Sequence, residues 1–305
     1  MRNTDTFRQF IWLVNTLLRF KKCDLQQIQH RWIDEDLNNG KSLSRTTFYR
    51  MRQAIEDMFG IIIQCDSSDG NQYFINNPEV LNDNSTQNWM LQTLTVNNSL
   101  TDSLSIKNQL VLEEVPAGAE YLQTIIQAMK NHQVLDMTHK SFDASDAKTI
   151  AIQPYCLKMF RQRWYLLGKS DTFNNELRIY ALDRITKLEE TQLHFNMDDD
   201  FDAEAFFKPF FGVFIDKDIK TQRVVIRAYG TKMVSLMRTL PKHHSQKEIR
   251  STTDYSDFEY YLKPTFDFCH EILKEGKDLQ VMEPKSLRTT IKKELAKTLS
   301  LYDKS

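Results

Sequence analysis

Glycine is scarce in this chain, with eight in 305 residues, and none sits in a G-x-x-x-x-G-K-[ST] or G-x-G-x-x-G pattern. Those patterns bring backbone N–H groups around phosphates, so their absence excludes the ATP- and dinucleotide-binding loops they build. Cysteine is scarcer still. Cys23, Cys65, Cys156 and Cys269 are far apart, with no C-x-x-C pair. That spacing fits reduced, mostly buried thiols and excludes a disulfide framework or a zinc site. No apolar run approaches the roughly 18 residues needed to cross a bilayer. The opening MRNTDTFRQF lacks the basic-then-apolar layout of a secretion signal. A cytoplasmic protein with no membrane partner is expected. G-x-S-x-G and H-E-x-x-H are also missing, as is any constellation of carboxylates. The sequence therefore predicts no enzyme, no catalytic residue, no metal site and no cofactor.

What is present is ordinary globular material. Hydrophobic residues make up 41% and charged residues 27%, and the net charge is −1. The length suits two or three compact units. Asn76–Asn88, rich in Asn and turn formers, marks one boundary. Glu189-Glu190 and Asp198-Asp199-Asp200 mark a second. The expected division is 1–80, a connecting helix and strand over 81–114, a unit at 115–195 and a last unit at 215–305. No internal repeat is found.

In the first unit, Phe7, Phe10, Ile11, Val14, Leu17 and Leu18 recur at helical spacing. Asp24 is placed to cap a second helix with Leu25, Ile28 and Trp32. Ser44 is placed to cap a third, with Leu43 and Phe48 as a hydrophobic staple, and Gly60 to end it. Ile61–Ile63 and Tyr73–Ile75 flank a turn containing Asp69-Gly70, which predicts a β-hairpin. Three helices followed by a hairpin predict a winged helix-turn-helix.

On the third helix, Phe48, Met51, Ile55 and Met58 form one apolar stripe. Arg45, Thr46, Tyr49, Arg50 and Gln53 fall on the opposite side, with Arg52 at the flank. Arg and Gln can pair with base edges in a major groove, while Thr and Tyr hydroxyls suit phosphates. These six residues are the candidate contacts to double-stranded operator DNA, with Arg45 and Arg50 as the base readers. The bland alternative is a solvated face. Met1–Ile75 holds ten Lys and Arg against nine Asp and Glu, so the unit is not basic as a whole. Asp34-Glu35-Asp36, Asp66 and Asp69 nevertheless lie off the helix face.

The middle unit opens with a helix carrying Tyr121, Leu122, Ile125, Ile126 and Met129. Short strands are expected at Val134–His139, Ile150–Leu157, Trp164–Gly168, Leu177–Leu182 and Ile185–Leu188, which suits a small barrel or sandwich. In the last unit, strands at Arg223–Ala228, Glu248–Thr252, Phe258–Leu262 and Leu279–Met282 are interleaved with helices at Thr231–Leu240 and Phe266–Glu275. A final helix carries Leu287, Ile291, Leu295 and Leu299. The order β-α-β-β-α-β resembles the ferredoxin-like split motif. The fold class expected is α+β multidomain.

The stretch RQRWYLLGKSDTFNNELRIYALDRI, Arg161–Ile185, resembles the signature of the WYL-domain family. The spacing from Trp164-Tyr165-Leu166 to Arg178-Ile179-Tyr180 and Leu182-Asp183-Arg184-Ile185 matches. Leu135–Lys140 resembles the family's first barrel strand, with His139 where tyrosine is common. The upstream helix-turn-helix and the ending VMEPKSLRTTIKKEL are similar to the family's flanks. This resemblance implies a small Sm/SH3-like β-barrel and a C-terminal extension that aids dimerisation or gating. It also implies a bacterial transcriptional regulator working as a homodimer, whose barrel senses a nucleic-acid or nucleotide-like effector. Relatives act in phage defence, DNA damage and other stress responses.

The residues point to an anionic ligand independently. Between His139 and Leu188 there are nine Lys and Arg (Lys140, Lys148, Lys158, Arg161, Arg163, Lys169, Arg178, Arg184, Lys187) against five acids. Arg178 and Tyr180 share a strand face, and an arginine beside an aromatic suits a phosphate and a stacked base. His139, Lys140, Arg163, Tyr165, Arg178 and Arg184 are the candidate pocket. Trp164 reads better as barrel core, Tyr165 reads equally well either way, and Asp183 reads as an ion pair with Arg184 or a turn cap. His243-His244 reads as a polar loop, Asp198–Asp200 as a solvated linker and Cys156 as an inert strand thiol. A second reading is a single-stranded nucleic-acid-binding accessory protein without operator-specific DNA binding.

Overall fold

The computed structural model describes residues 3–35, 37, 40–82, 86–102, 109, 111, 118–140 and 146–303. The chain divides into two compact units, Met1–Leu112 and Glu113–Ser305. It is a mixed α/β protein, with three antiparallel sheets among the described residues. Among the described residues no helix is long and apolar enough to cross a membrane.

The first unit runs α1 (Asn3–Phe20), α2 (Leu25–Asp34), α3 (Arg45–Phe59), β1 (Ile63–Asp66), β2 (Gln72–Ile75) and α4 (Thr86–Asp102). Local chemistry sets the helix limits. The Asp24 carboxylate accepts the Gln27 N–H at 2.8 Å, and the Gln27 carboxamide oxygen accepts the Asp24 N–H at 3.1 Å, a reciprocal cap on α2. Ser44 Oγ accepts the Thr47 N–H at 3.0 Å at the start of α3. Gly60, at φ +66°, closes α3 in the left-handed region. β1 and β2 pair antiparallel from Ile63–Ile75 to Asp66–Gln72. The core gathers Val14, Leu17, Ile28, Trp32, Phe48, Met51, Ile55 and Phe59. α4 sends Leu91 into the same core, so this part of 81–114 is packed structure. The strand expected beside it lies outside the described residues.

The second unit begins with α5 (Leu122–Lys130). It then forms a five-stranded antiparallel sheet from β3 (Gln133–His139), β4 (Lys148–Phe160), β5 (Arg163–Lys169), β6 (Arg178–Ala181) and β7 (Ile185–His194), ordered β6-β5-β4-β3-β7. β4 pairs with β3 through its first half and with β5 through its second, and the register slips between Pro154 and Cys156. Ile125, Leu135, Met137, Ile152, Leu166 and Leu182 form its core. β7 runs on to His194, so Glu189-Glu190 lie within a strand and do not mark a boundary. As an edge strand with most side chains in solvent, its second half carries no hydrophobic alternation to betray it.

A four-stranded antiparallel sheet follows: β8 (Gln222–Tyr229), β9 (Lys247–Ser251), β10 (Tyr255–Leu262) and β11 (Leu279–Glu283), ordered β11-β8-β10-β9. Between the strands come α7 (Gly230–Thr239) and α8 (Phe266–Lys274), and α9 (Lys285–Tyr302) ends the chain's described structure. Val224, Ile226, Phe258, Tyr260, Phe268 and Leu287 build this core.

The segment joining the two sheets, with α6 (Ala203–Phe207), is fastened to both. Lys158 Nζ of β4 donates to the Gly212 carbonyl at 2.7 Å. The Asp267 carboxylate of α8 accepts the Val213 and Phe214 N–H groups, each at 2.7 Å. His243 and His244 occupy a loop, as expected, but their rings converge on the Lys208 carbonyl at 2.9 and 2.8 Å. Gly212 is required here because a Cβ would collide with the Asp267 carboxylate. Gly212→Ala is expected to destabilise the second unit by roughly 1–3 kcal/mol through overpacking, read as a lowered urea midpoint.

Candidate functional site

Of the stripe expected on α3, Phe48, Met51 and Ile55 are buried and Met58 is half-buried, with Phe59 buried beside them, while Arg45, Thr46, Tyr49, Arg50 and Gln53 are exposed. Arg45 and Arg50 form no ion pair among the described residues. Gln53 Nε2 donates to Asp57 Oδ1 at 3.1 Å. Arg52 behaves differently from the rest. It is half-buried, donates through Nε to the Ile63 carbonyl at 3.1 Å and again through Nη2. Its guanidinium lies 5.6 Å from the Tyr49 ring and 5.2 Å from the Tyr73 ring. Arg52 ties α3 to β1 through two of its five N–H donors.

Arg45 and Tyr49 line a groove of about 420 Å³ together with Asp24, Cys65, Asn71 and Tyr73. The start of α2, the start of α3 and the hairpin thus converge on one cleft. Burial and the neighbouring Tyr49 hydroxyl push the Tyr73 phenol upward, so it stays protonated. The hairpin acids are partly neutralised: Lys22 pairs with Asp66 at 3.2 Å and Asp69 at 2.8 Å. Removing Arg52 as Arg52→Ala is expected to cost the first unit about 1–2 kcal/mol, whereas Arg50→Ala changes its stability by under about 0.5 kcal/mol. Chemical denaturation of the two variants checks this contrast.

In the five-stranded sheet, the nine cations do not act alike. Arg163 makes a two-pronged pair with Asp183 at 2.8 and 2.7 Å, which raises its own affinity for the proton. Asp183 is thus half of an ion pair, and its partner is Arg163, twenty residues earlier. Arg161 pairs with Glu271, Lys169 with Asp198, and Lys187 with Glu189. Lys158 is largely buried. Desolvation pulls its amine down to about 8, partly opposed by Cys156 and Asp267. Lys140, Lys148 and Arg178 form no ion pair among the described residues. Counting charges along the sequence therefore overstates the cationic surface, because neighbours distant in sequence supply compensating acids.

The core of this sheet also contains a polar defect. His139, at the end of β3, meets the Tyr180 ring of β6 edge-on at 5.5 Å. His139 Nε2 and Tyr180 Oη are both buried without a hydrogen-bond partner. Burial, then the charge of Arg184, holds the His139 imidazole below its ordinary range, and Asp183 works in the opposite direction. Burial pushes the Tyr180 phenol up, with Arg178 pulling against it. Strand pairing brings Lys148 opposite His139. Lys140 and Arg184 are joined by a backbone bond of 3.1 Å and by Arg184 Nε to the Lys140 carbonyl at 3.0 Å. Arg178 is exposed at the start of β6, 4.1 Å from the Phe173 ring. Tyr165 is half-buried, with the Arg163 guanidinium 5.5 Å from its ring. Trp164 packs against the core.

Tyr180 and Lys148 were not among the residues predicted for this pocket. Tyr180 was signalled by its place two residues after Arg178. Lys148 carried no such signal, because only strand register places it opposite His139. Elsewhere, burial raises the thiols of Cys23, Cys156 and Cys269, Cys156 to about 11, leaving them poor nucleophiles. Among the described residues, no group of three or more His, Cys, Asp or Glu side chains is placed to hold a metal ion.

Residues 120–190 match the WYL domain family, so the chain carries a WYL domain. No curated protein matches the chain. Among solved structures, the proteasome accessory factor B/C (PafBC) of Arthrobacter aurescens is similar at 14% identity and a TM-score of 0.30. That match covers 81% of this chain and 39% of PafBC, so this chain spans about two fifths of that protein's length. A CRISPR Cas-related protein is similar at 11% identity and a TM-score of 0.40, over 99% of this chain and 86% of that one.

Proposed function

We propose that this chain is a ligand-responsive, DNA-binding transcriptional regulator of the cytoplasm, acting by binding and not by catalysis. In this reading the first unit is a winged helix-turn-helix that places α3 in the major groove of operator DNA. The WYL domain is a small Sm/SH3-like barrel that takes an anionic effector of nucleic-acid or nucleotide type. The C-terminal sheet is a ferredoxin-like module, and two copies act together on the operator. Control of a stress or phage-defence operon fits such a protein.

One observation carries the effector assignment: two buried polar atoms, His139 Nε2 and Tyr180 Oη, lack partners, with Lys148 paired opposite His139 and Arg178 two residues before Tyr180 on the same strand. An unsatisfied buried donor or acceptor costs about 1–3 kcal/mol. A phosphate or base edge reaching them recovers that cost, and Lys140, Lys148 and Arg178 offset the ligand's charge. Arg45 and Arg50, exposed and unpaired by acids among the described residues, support the DNA assignment. Effector binding controls DNA affinity only if it favours one arrangement of the protein over another.

Arg50→Ala is expected to weaken duplex DNA binding by roughly 10-fold or more while sparing oligonucleotide binding to the barrel; Arg178→Ala is expected to do the reverse. Fluorescence anisotropy with labelled duplex and labelled single strand reads both. If Arg178→Ala and Tyr180→Phe both leave single-strand affinity unchanged, the pocket assignment is wrong. If the single strand binds while no duplex does, the single-strand accessory reading replaces the regulator. That second reading is favoured by the orphaned polar atoms lying in the barrel.

The effector should also bind more tightly as the pH falls. His139 is held below its ordinary value in the free protein, so it is mostly neutral at pH 7. An anion placed against it raises its proton affinity, so binding takes up a proton. Affinity is therefore expected to rise between about pH 8 and 6, and His139→Gln to flatten that slope. A titration series in buffers of equal ionic strength checks it.

A further inference from the structure

Two phenylalanines of the C-terminal module line a cavity while much of their surface stands in water. Phe214, from the connector, is 45% exposed, and Phe266, the first residue of α8, is 53% exposed. Single apolar residues scattered over a surface are ordinary, but these two are neighbours. The Phe266 ring lies 5.5 Å from the Phe214 ring and 3.9 Å from the His270 ring. His270 follows Phe266 by one turn of α8, which is why those two rings meet. Phe214 is brought to them by Asp267, whose carboxylate accepts the Val213 and Phe214 N–H groups, each at 2.7 Å. The three rings are therefore gathered before anything binds, which lowers the cost of ordering them around a ligand.

The cavity holds about 520 Å³, a size typical of small-molecule sites. Ile219, Leu273 and Leu287 extend the apolar lining that the rings begin. Apart from His270, the charged groups lining it among the described residues are Asp216 and Glu294, and both are acids. Asp216 Oδ1 accepts the Asp218 N–H at 2.9 Å, a contact that leaves the carboxylate's charge in place. Glu294 Oε1 meets Lys297 Nζ at 2.7 Å, with side chains 44% and 73% exposed. So open a pair contributes little and gives way to a competing cation. Lys217, next to Asp216, pairs with Glu176 instead.

This lining is selective. The carboxylates oppose an anion, and a bare metal ion needs oxygen ligands that rings and aliphatic side chains do not supply. A neutral apolar molecule leaves the carboxylates unused. A cation clothed in methyl groups suits every part. It has no N–H group that must find an acceptor, its methyl groups fit apolar walls, and aromatic faces attract its charge.

We infer that the Phe214–Phe266–His270 groove binds a small alkylated ammonium ion, whose charge Asp216 and Glu294 balance. The site is separate from the pocket of the WYL sheet and opposite to it in sign. Phe214 belongs to the connector that Lys158 ties to β4 through Gly212, so an occupant bears on the segment between the two sheets.

Isothermal titration calorimetry of the full chain with choline, tetramethylammonium and neohexanol, the uncharged carbon counterpart of choline, tests this. Both ammonium ions are expected to bind with dissociation constants of about 1 mM or below, and neohexanol at least about 10-fold more weakly. Phe266→Leu is expected to weaken choline binding roughly 10-fold, while Phe266→Trp retains it. Asp216→Asn, which keeps the oxygen that holds Asp218, should weaken it about 3-fold. Lys297→Ala should instead tighten it about 2-fold, because Glu294 loses its competing partner. Urea midpoints of these variants should stay near that of the wild type, since none of the three side chains is buried. Arg178→Ala, in the WYL sheet, should leave choline affinity unchanged, so the effector pocket and this groove are read separately. Absence of saturable binding by either ammonium ion up to about 20 mM overturns the inference. So does equal affinity for choline and neohexanol, or choline binding that survives both Phe266→Leu and Asp216→Asn.

Discussion

The cost of withdrawing polar groups from water without giving them partners organises the second unit. Almost every charged group that the fold buries there is matched. Glu271, with its side chain only 8% exposed, is met by Arg161 from the β4–β5 turn and by Lys242, which also reaches Glu275 at 3.2 Å. Asp257, on the outer face of the C-terminal sheet, is held in two-pronged fashion by Arg227 at 2.7 and 2.9 Å. Removing one partner of such a pair strands the other charge, which is why these contacts are all-or-none. Set in that well-matched interior, the bare His139 Nε2 and Tyr180 Oη stand out. Both atoms sit on side chains whose rings meet at 5.5 Å, and Ser170 Oγ and Thr265 Oγ1 of the same unit are likewise buried without a partner.

The same principle explains how the WYL domain is joined to the C-terminal module. The connecting segment is not a tether. Its aromatic rings pack in sequence, Phe206 on Phe207 and Phe210, Phe211 on Phe268, Phe214 on Phe266. Its carbonyls are claimed by Lys158 and the paired histidines, and its amides by Asp267. Packed rings and satisfied backbone groups transmit displacement because neither tolerates partial loosening. A ligand that moved β4 would move Lys158, and Lys158 is bonded directly to the connector.

Much of this is legible in the order of residues. Capping and periodicity locate α2, α3 and the hairpin, since Asp24, Ser44 and Gly60 act on backbone groups three or four residues away. The strands of both larger sheets fall where alternation or unbroken apolar runs demand burial. The second half of β7 escapes such a reading because an edge strand in water needs no such pattern. The connector escapes it because its phenylalanines follow no helical or strand period. Asp183 is recognisable as half of an ion pair, but nothing in the sequence identifies its partner, Arg163, twenty residues earlier.

The amino-acid order alone determined which elements form, which face of α3 is apolar and which residues are chemically able to contact an anion. Those properties depend on neighbours within about one turn of helix or two residues of strand, where backbone geometry leaves little choice. Only tertiary structure decided which cations remain available. Arg52 is bound to Ile63, Arg163 to Asp183 and Arg161 to Glu271, each through a contact across eleven to more than a hundred residues. Likewise, only strand register set Lys148 opposite His139. Charge and hydrophobicity are carried by single residues, but whether they are satisfied depends on what the fold brings alongside.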